Sequence, residues 1–308
     1  MPQPLGEMAD LGGHRLHIRC AGKGARTVVI ENGFDEFSFD WITVQNDVAK
    51  FARVCSYDRA GYAWSDPGPA PRTFAQTNQE LHDALKMLRE QSPYVLVGHS
   101  FGGPIARSFA ITYPKDVAGV VFVDAVSEDQ RFEMWHKAVL MREGAKGKII
   151  PAPHEQMRSE DKLPESPYFD PARVRRIEPP FDRLPLELQR LHLWAISQSH
   201  LAEAEENERT WSPEYFAYWH QHPEAARLGS IPLIVLTREQ GVFHDLDISA
   251  AQQEVERRAN QVRLASLSTK GEQRIVSSGE DMQIERPEVV VQAIEDVCKA
   301  TAQRGSAQ

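Results

Sequence analysis

Residues 94–110 read YVLVGHSFGGPIARSFA. The segment at 94–98 is apolar and β-branched, the makeup of a strand buried on both faces. From Gly102 to Phe109 apolar residues recur at helical spacing. Between the two stands Gly98-His99-Ser100-Phe101-Gly102, a G-x-S-x-G sequence. A chain turning from strand straight into helix crowds its own backbone. Glycines two before and two after the serine relieve that clash and leave the hydroxyl projecting from the turn. The free NH groups and dipole of the helix start then point to where negative charge would build during attack on a carbonyl. Ser100 is therefore the candidate nucleophile.

The same alternation extends outward. TVVIE at 27–31, ARVCSY at 52–57 and GVVFVD at 119–124 predict further buried strands. The stretch 73–90 predicts an amphipathic helix, with Leu81, Ala84, Leu85 and Leu88 on one stripe. The rhythm resumes with a strand IPLIVLT at 231–237, a helix over 249–265, a strand near 273–277 and a last helix opening at Pro287. This is an α/β pattern, a mainly parallel sheet flanked by helices. Residues 126–229 break the rhythm and carry Trp135, Trp194, Trp211 and Trp219. They are expected to form a helical lid on a core made of 1–125 and 230–308. The final residues, AQRGSAQ, are expected to fray.

Composition narrows the function. With 308 residues, 41% hydrophobic and 26% charged, the chain can pack a substantial core. A net charge of −9 argues against nucleic acid or an anionic membrane as partner, since both need clustered Lys and Arg. A small-molecule partner is expected, with no metal or other cofactor, because neither a metal-ligand spacing nor a phosphate-cradling glycine loop occurs. The three cysteines, Cys20, Cys55 and Cys298, lack a CxxC spacing and are expected as buried thiols. With no secretory pattern at the amino terminus and no long apolar run, a cytoplasmic location without a membrane span is expected.

Taken in order, several segments resemble the α/β-hydrolase superfamily, in its lidded esterase, lipase and haloperoxidase-like branch, over nearly the whole chain. They are Glu31-Asn32-Gly33-Phe34 with Asp40-Trp41, YDRAGYAWS at 57–65, the turn at Ser100, Val123-Asp124-Ala125, and Ile284-Glu285-Arg286-Pro287-Glu288. The resemblance implies an eight-stranded-type sheet with a helical lid inserted after the sixth strand. It implies hydrolysis of a small-molecule carboxylic ester through an acyl-Ser100 intermediate, with oxyanion-hole NH groups from Phe34 and Phe101. It puts the acid of a catalytic triad at Asp124 or, in a second variant, at Asp245 or Asp247; Asp124 is preferred. Asp58 and Arg59 are read as a buried ion pair. Asp35 and Glu36 are expected to turn outward, because carboxylates beside an oxyanion hole would oppose the charge that builds there. His99 is expected to pack beside the sheet rather than reach Ser100.

One position departs from the family. Its last strand is followed by a Gly-His pair, and that histidine is the general base. Here residues 277–287 read SSGEDMQIERP, so Glu280 stands in its place; the last of the eleven histidines is His244. Glutamate, with an ordinary pKa of about 4.3 against about 6.5 for histidine, is a feebler base near neutral pH. Burial near Asp124 and Asp281 is expected to raise it. Three readings follow, in order of preference: an attenuated or inactive esterase; a Ser100-Glu280-Asp124 arrangement with glutamate as base; and His244 swinging in to replace it. A ligand-binding protein that kept the pocket and lost the base is the alternative from another functional class.

Overall fold

The structure is a computed structural model, and it describes residues 1–134, 137–154, 176–239, 241 and 247–305. Strands β1 (Glu7–Asp10) and β2 (Arg15–Ala21) form an antiparallel hairpin. β3 (Thr27–Glu31) leads through a short 3-10 turn at Ser38–Trp41 to α1 (Ile42–Val48) and β4 (Arg53–Tyr57). Helix α2 (Phe74–Met87) is capped by Thr73, whose hydroxyl accepts from the Gln76 NH at 3.0 Å. Next come β5 (Tyr94–His99), α3 (Gly102–Thr112) and β6 (Val117–Val123).

The long excursion that follows contains a hairpin, β7 (Arg131–Met134) with β8 (Lys137–Leu140), and two helices, α4 (Leu186–Ile196) and α5 (Ser199–Gln221). The chain returns as β9 (Leu233–Arg238), α6 (Ala250–Ala265), β10 (Gly271–Val276), a short α7 (Met282–Glu285) and α8 (Pro287–Gly305).

The main sheet has eight strands in the order β1-β2-β4-β3-β5-β6-β9-β10, antiparallel at the β1-β2-β4 edge and parallel from β4 onward. Side chains alternate across it with the period of a strand. Tyr94 and Leu96 of β5 enter one core layer with Val29 and Phe109, while Val95 and Val97 enter the other with Val28, Ile30, Ile294 and Val297. Both faces are covered, which is why β3, β5 and β9 are apolar along their length.

Four expectations change here. β1 and β2 were not foreseen; RLHIRCA does alternate polar and apolar residues, but EMAD is too short and mixed to signal its partner strand. The 126–229 stretch is not purely helical, since the β7–β8 hairpin opens it. Cys20 and Cys55 are not thiols: the β2–β4 register sets them opposite each other, 4.0 Å apart at Cα, and their sulfurs are bonded, leaving Cys298 as the free cysteine. The final helix continues through Gly305, into the tail expected to fray. Among the described residues no helix is long and apolar enough to cross a membrane.

Candidate active site

β3, β5, β6, β9 and β10 all end on one edge of the sheet, the edge where open α/β sheets bind ligands. Ser100 leaves β5 at φ +46°, a left-handed conformation rare for a side-chain-bearing residue. The flanking glycines make the turn possible. A Cβ on Gly98 would lie 2.8 Å from the Gly102 carbonyl oxygen, and one on Gly102 would lie 2.2 Å from the Glu31 oxygen. Ser100 is pinned by its own backbone, its NH donating to Val123 O at 3.1 Å and its carbonyl accepting from Val126 NH at 3.0 Å. The strained residue is therefore over-determined by its surroundings.

The Ser100 hydroxyl donates to Glu280 Oε1 at 2.7 Å, so the geometry brings together the serine and the glutamate that the two ends of the sequence supply. Asp124, which follows β6, comes to the same place but does not meet Glu280 directly. Arg238, the last residue of β9, lies between them: its Nη1 is 2.7 Å from Glu280 Oε2 and 3.2 Å from Asp124 Oδ2, and its backbone NH donates to Asp124 Oδ1 at 3.2 Å. The buried Asp124 carboxylate and the partly exposed Glu280 carboxylate would repel at this separation, and the guanidinium between them offsets that. Burial pushes Asp124 upward, with the Arg238 charge acting against it. For Glu280 burial also acts upward, but Arg238, His99 and the hydrogen bonds from Ser100 and Arg238 outweigh it and hold the carboxyl below its ordinary range. The expectation that burial would raise Glu280 is thus reversed, because cations rather than carboxylates face it most closely.

Glu36 is the second correction. Asp35 is exposed as expected, but Glu36 is buried and ties three loops together. Its carboxylate accepts from Gly33 NH at 2.7 Å and from Gln283 Nε2 at 2.7 Å, and it pairs with His99 Nδ1 at 2.8 Å. The other ring nitrogen of His99 donates to the Glu280 carbonyl at 3.0 Å. Burial opposes the imidazolium, yet the Glu36 carboxylate prevails and raises His99 to about 10. Burial and Glu36 push Asp281 up to about 8. Ligand atoms of Glu36, His99 and Asp281 lie within 4.8 Å of one another. Both imidazole nitrogens of His99 are, however, already engaged, one by Glu36 and the other by the Glu280 carbonyl.

The loop after β3 forms the opposite wall. A Cβ on Gly33 would fall 3.3 Å from Ser100 Cβ, and the rings of Phe34 and Phe101 stack at 3.8 Å, so both residues border the serine. Arg59 braces this loop, donating to the Asn32 carbonyl at 2.6 Å and the Gly33 carbonyl at 3.0 Å. Its ionic partners are Glu31 and Glu208, each at 3.0 Å, not Asp58. Asp58 instead pairs with His17 Nδ1 at 2.7 Å and accepts from Ser38 NH at 2.8 Å. Asp247 is exposed, its carboxylate accepting from the Ala138 NH at 2.7 Å, away from Ser100. His244 and Asp245 lie outside the described residues. Arg238 and Glu36 were missed by sequence reasoning. The one available signal for Arg238 was a cation placed directly after the run IPLIVLT.

Residues 26–147 match the family model described as the alpha/beta hydrolase fold. A probable transporter of Hormonema carpetanum is 33% identical over 129 residues, which cover 39% of this chain and 18% of that protein. An uncharacterized protein of Schizosaccharomyces pombe is 33% identical over 141 residues, 37% of this chain and 26% of that one. The chain therefore spans about a fifth to a quarter of the length of these two curated relatives. A thermophilic esterase from Thermogutta terrifontis superposes with a TM-score of 0.64 at 19% identity, covering 96% of this chain and 97% of that one. The sheet order, the strand-turn-helix at Ser100 and the match over residues 26–147 lead to one conclusion: the chain has the α/β-hydrolase fold.

Proposed function

We propose that this chain is a serine hydrolase for carboxylic esters of moderate size, working through an acyl-Ser100 intermediate and attenuated because Glu280 occupies the base position. The observation that carries the reading is the 2.7 Å hydrogen bond from the Ser100 hydroxyl to Glu280 Oε1, made on the strand-to-helix turn. In the forward step Ser100 Oγ attacks the ester carbonyl and its proton passes to Glu280. The oxyanion is held by the NH groups of Phe34 and Phe101, and protonated Glu280 returns the proton to the departing alkoxide. Water then repeats the sequence on the acyl-serine. A carboxylate held below its ordinary pKa takes a proton reluctantly, each unit costing about 1.4 kcal/mol of driving force. Asp124 acts only through Arg238. Residues 126–229 serve as a cap on the core of 1–125 and 230–308. Tyr215, Phe216 and Trp219 of α5 cluster with Phe34, Phe74 and Phe101 as its apolar lining.

The test pairs covalent labelling with turnover. A fluorophosphonate should add to Ser100, seen as an intact-mass shift. p-Nitrophenyl butyrate should be hydrolysed slowly by this chain and quickly by Glu280→His between about pH 4 and 9. Absence of labelling across that range would remove the reading. One observation favours the binding-protein alternative: Glu280 is already neutralised by Arg238 at 2.7 Å, as a structural carboxylate would be. Saturable ester binding without product, and no gain from Glu280→His, would select it.

A further inference from the structure

Phe34, whose NH is the proposed oxyanion donor, joins two peptide planes, and each is fixed from the same helix. The plane before Phe34 carries the Gly33 carbonyl, which accepts from Arg59 Nη2 at 3.0 Å. Arg59 is in turn paired through Nε with Glu208 of α5 at 3.0 Å. The carbonyl and the Phe34 NH lie on opposite sides of one planar unit, so anchoring the oxygen aims the NH the other way. The plane after Phe34 carries the Asp35 NH, which donates to Glu205 Oε1 of α5 at 2.7 Å. Asp35 itself is held at φ +54°, a conformation that persists only where something external fixes it. Glu205 and Glu208 are three apart on one helix and therefore share a face. Glu205 is buried, as is Glu208.

We infer that Glu205 is a positioning residue of the active site: from the cap helix it clamps the Asp35 NH and so sets the direction in which Phe34 presents its NH to an oxyanion. This rests on the acyl-Ser100 reading. The clamp works through an acceptor oxygen, not through charge. Burial and the nearby Asp35 carboxylate push Glu205 up to about 8, toward the neutral acid, which glutamine imitates in shape and in its carbonyl acceptor. Asp35 and Glu208 on one side and Arg209 on the other are the charged groups that face it.

The experiment measures the rate of Ser100 phosphonylation by a fluorophosphonate, whose phosphoryl oxygen takes the oxyanion position, resolved into binding and bond-forming constants. Glu205→Leu should slow bond formation by about ten- to a hundredfold with binding little changed, the size expected when one oxyanion donor is misaligned. Glu205→Gln should stay within about threefold of the parent, because the acceptor is kept. Glu203→Leu, on the exposed face of the same helix, should label like the parent. If Glu205→Leu fails to fold, Glu205→Met gives the same comparison with an unbranched side chain. Equal labelling by the parent and the leucine or methionine variant overturns the inference and leaves the acyl-serine reading standing. Equal impairment of the glutamine and leucine variants also overturns it, since the acceptor would then not be what matters. A parent that never labels at Ser100 removes both.

Discussion

The turn after β5 and the loop after β10 approach the same point from two sides, and they are specified in different ways. The turn is fixed by space: the backbone at Gly98 and Gly102 passes so close to its neighbours that no Cβ fits, and Ser100 is forced to positive φ. The loop is fixed by charge: Glu280 lies where it does because Ser100, Arg238 and, through the backbone, His99 hold it there. A sterically specified element keeps its shape whatever chemistry it serves. An electrostatically specified one can exchange its reacting group, provided the surrounding charges are rebalanced. That difference accounts for an intact strand-to-helix turn at Ser100 facing a glutamate at position 280.

Rate should respond most at the charge-specified side. Glu280→His is expected to raise kcat for p-nitrophenyl butyrate by about a thousandfold at mildly alkaline pH, a large part of what a missing triad base removes. Initial rates check this, and a gain under about tenfold would mean that the base is not what limits the enzyme. Stability should respond most at the space-specified side. Gly102→Ala drives a methyl to within 2.2 Å of the Glu31 oxygen, and we expect a loss of about 3 kcal/mol or more in urea unfolding. A neutral result there would break the contrast outright. Arg238→Leu tests the rebalancing. It leaves Asp124 and Glu280 facing each other without their shared cation, so the loss should be about 3 kcal/mol near neutral pH. The loss should shrink under acid conditions, where the carboxyls can protonate. The double variant with Glu280→His should recover part of it, since a neutral imidazole can donate to Asp124.

Much of the fold was legible because it is written locally. Apolar β-branched runs, amphipathic stripes and the glycine spacing around Ser100 each depend on residues only a few positions apart. What was not legible depends on distant partners. Arg238 meets Glu280 across 42 positions and Asp124 across 114, and Glu36 meets His99 across 63. Cys20 and Cys55 pair only because two strands 35 residues apart lie in register. A single charged letter in a sequence reads as a solvated side chain until its counter-charge is placed. Glu36 was expected to turn outward because its charge would oppose an oxyanion, and the His99 that instead holds it inward lies 63 positions away. Ser100 was singled out from its surroundings and Glu280 from the resemblance, and the two lie 2.7 Å apart; the guanidinium that links Glu280 to Asp124 was not foreseen.

The smallest expected effect concerns the buried pair beneath the site, and its sign can be worked out. His99 is raised from 6.5 to about 10 in the folded protein, so the stability it contributes is complete below its unfolded value and is lost as pH rises through about 10. Asp281, raised from 3.8 to about 8, favours the protonated form on folding, so its contribution too declines as pH climbs toward 8. Glu80 runs the other way. Burial opposes its charge, but Arg72 and the neighbouring hydrogen bonds hold it near 2, so its contribution is present above 4.5 and lost in acid. The thermal midpoint should therefore peak in weakly acidic solution and fall by about 2–6 °C from neutrality toward pH 10. Glu36→Gln removes the partner that raises both His99 and Asp281 while keeping a hydrogen-bonding side chain, so it should lower the midpoint near neutrality and flatten the alkaline slope. The acid limb, set by Glu80 and Arg72 well away from this pair in sequence, should stay as it was. Parallel alkaline slopes for the two proteins would show that the Glu36–His99 pair does not govern that limb, and the loop carrying Glu280 would then need another anchor.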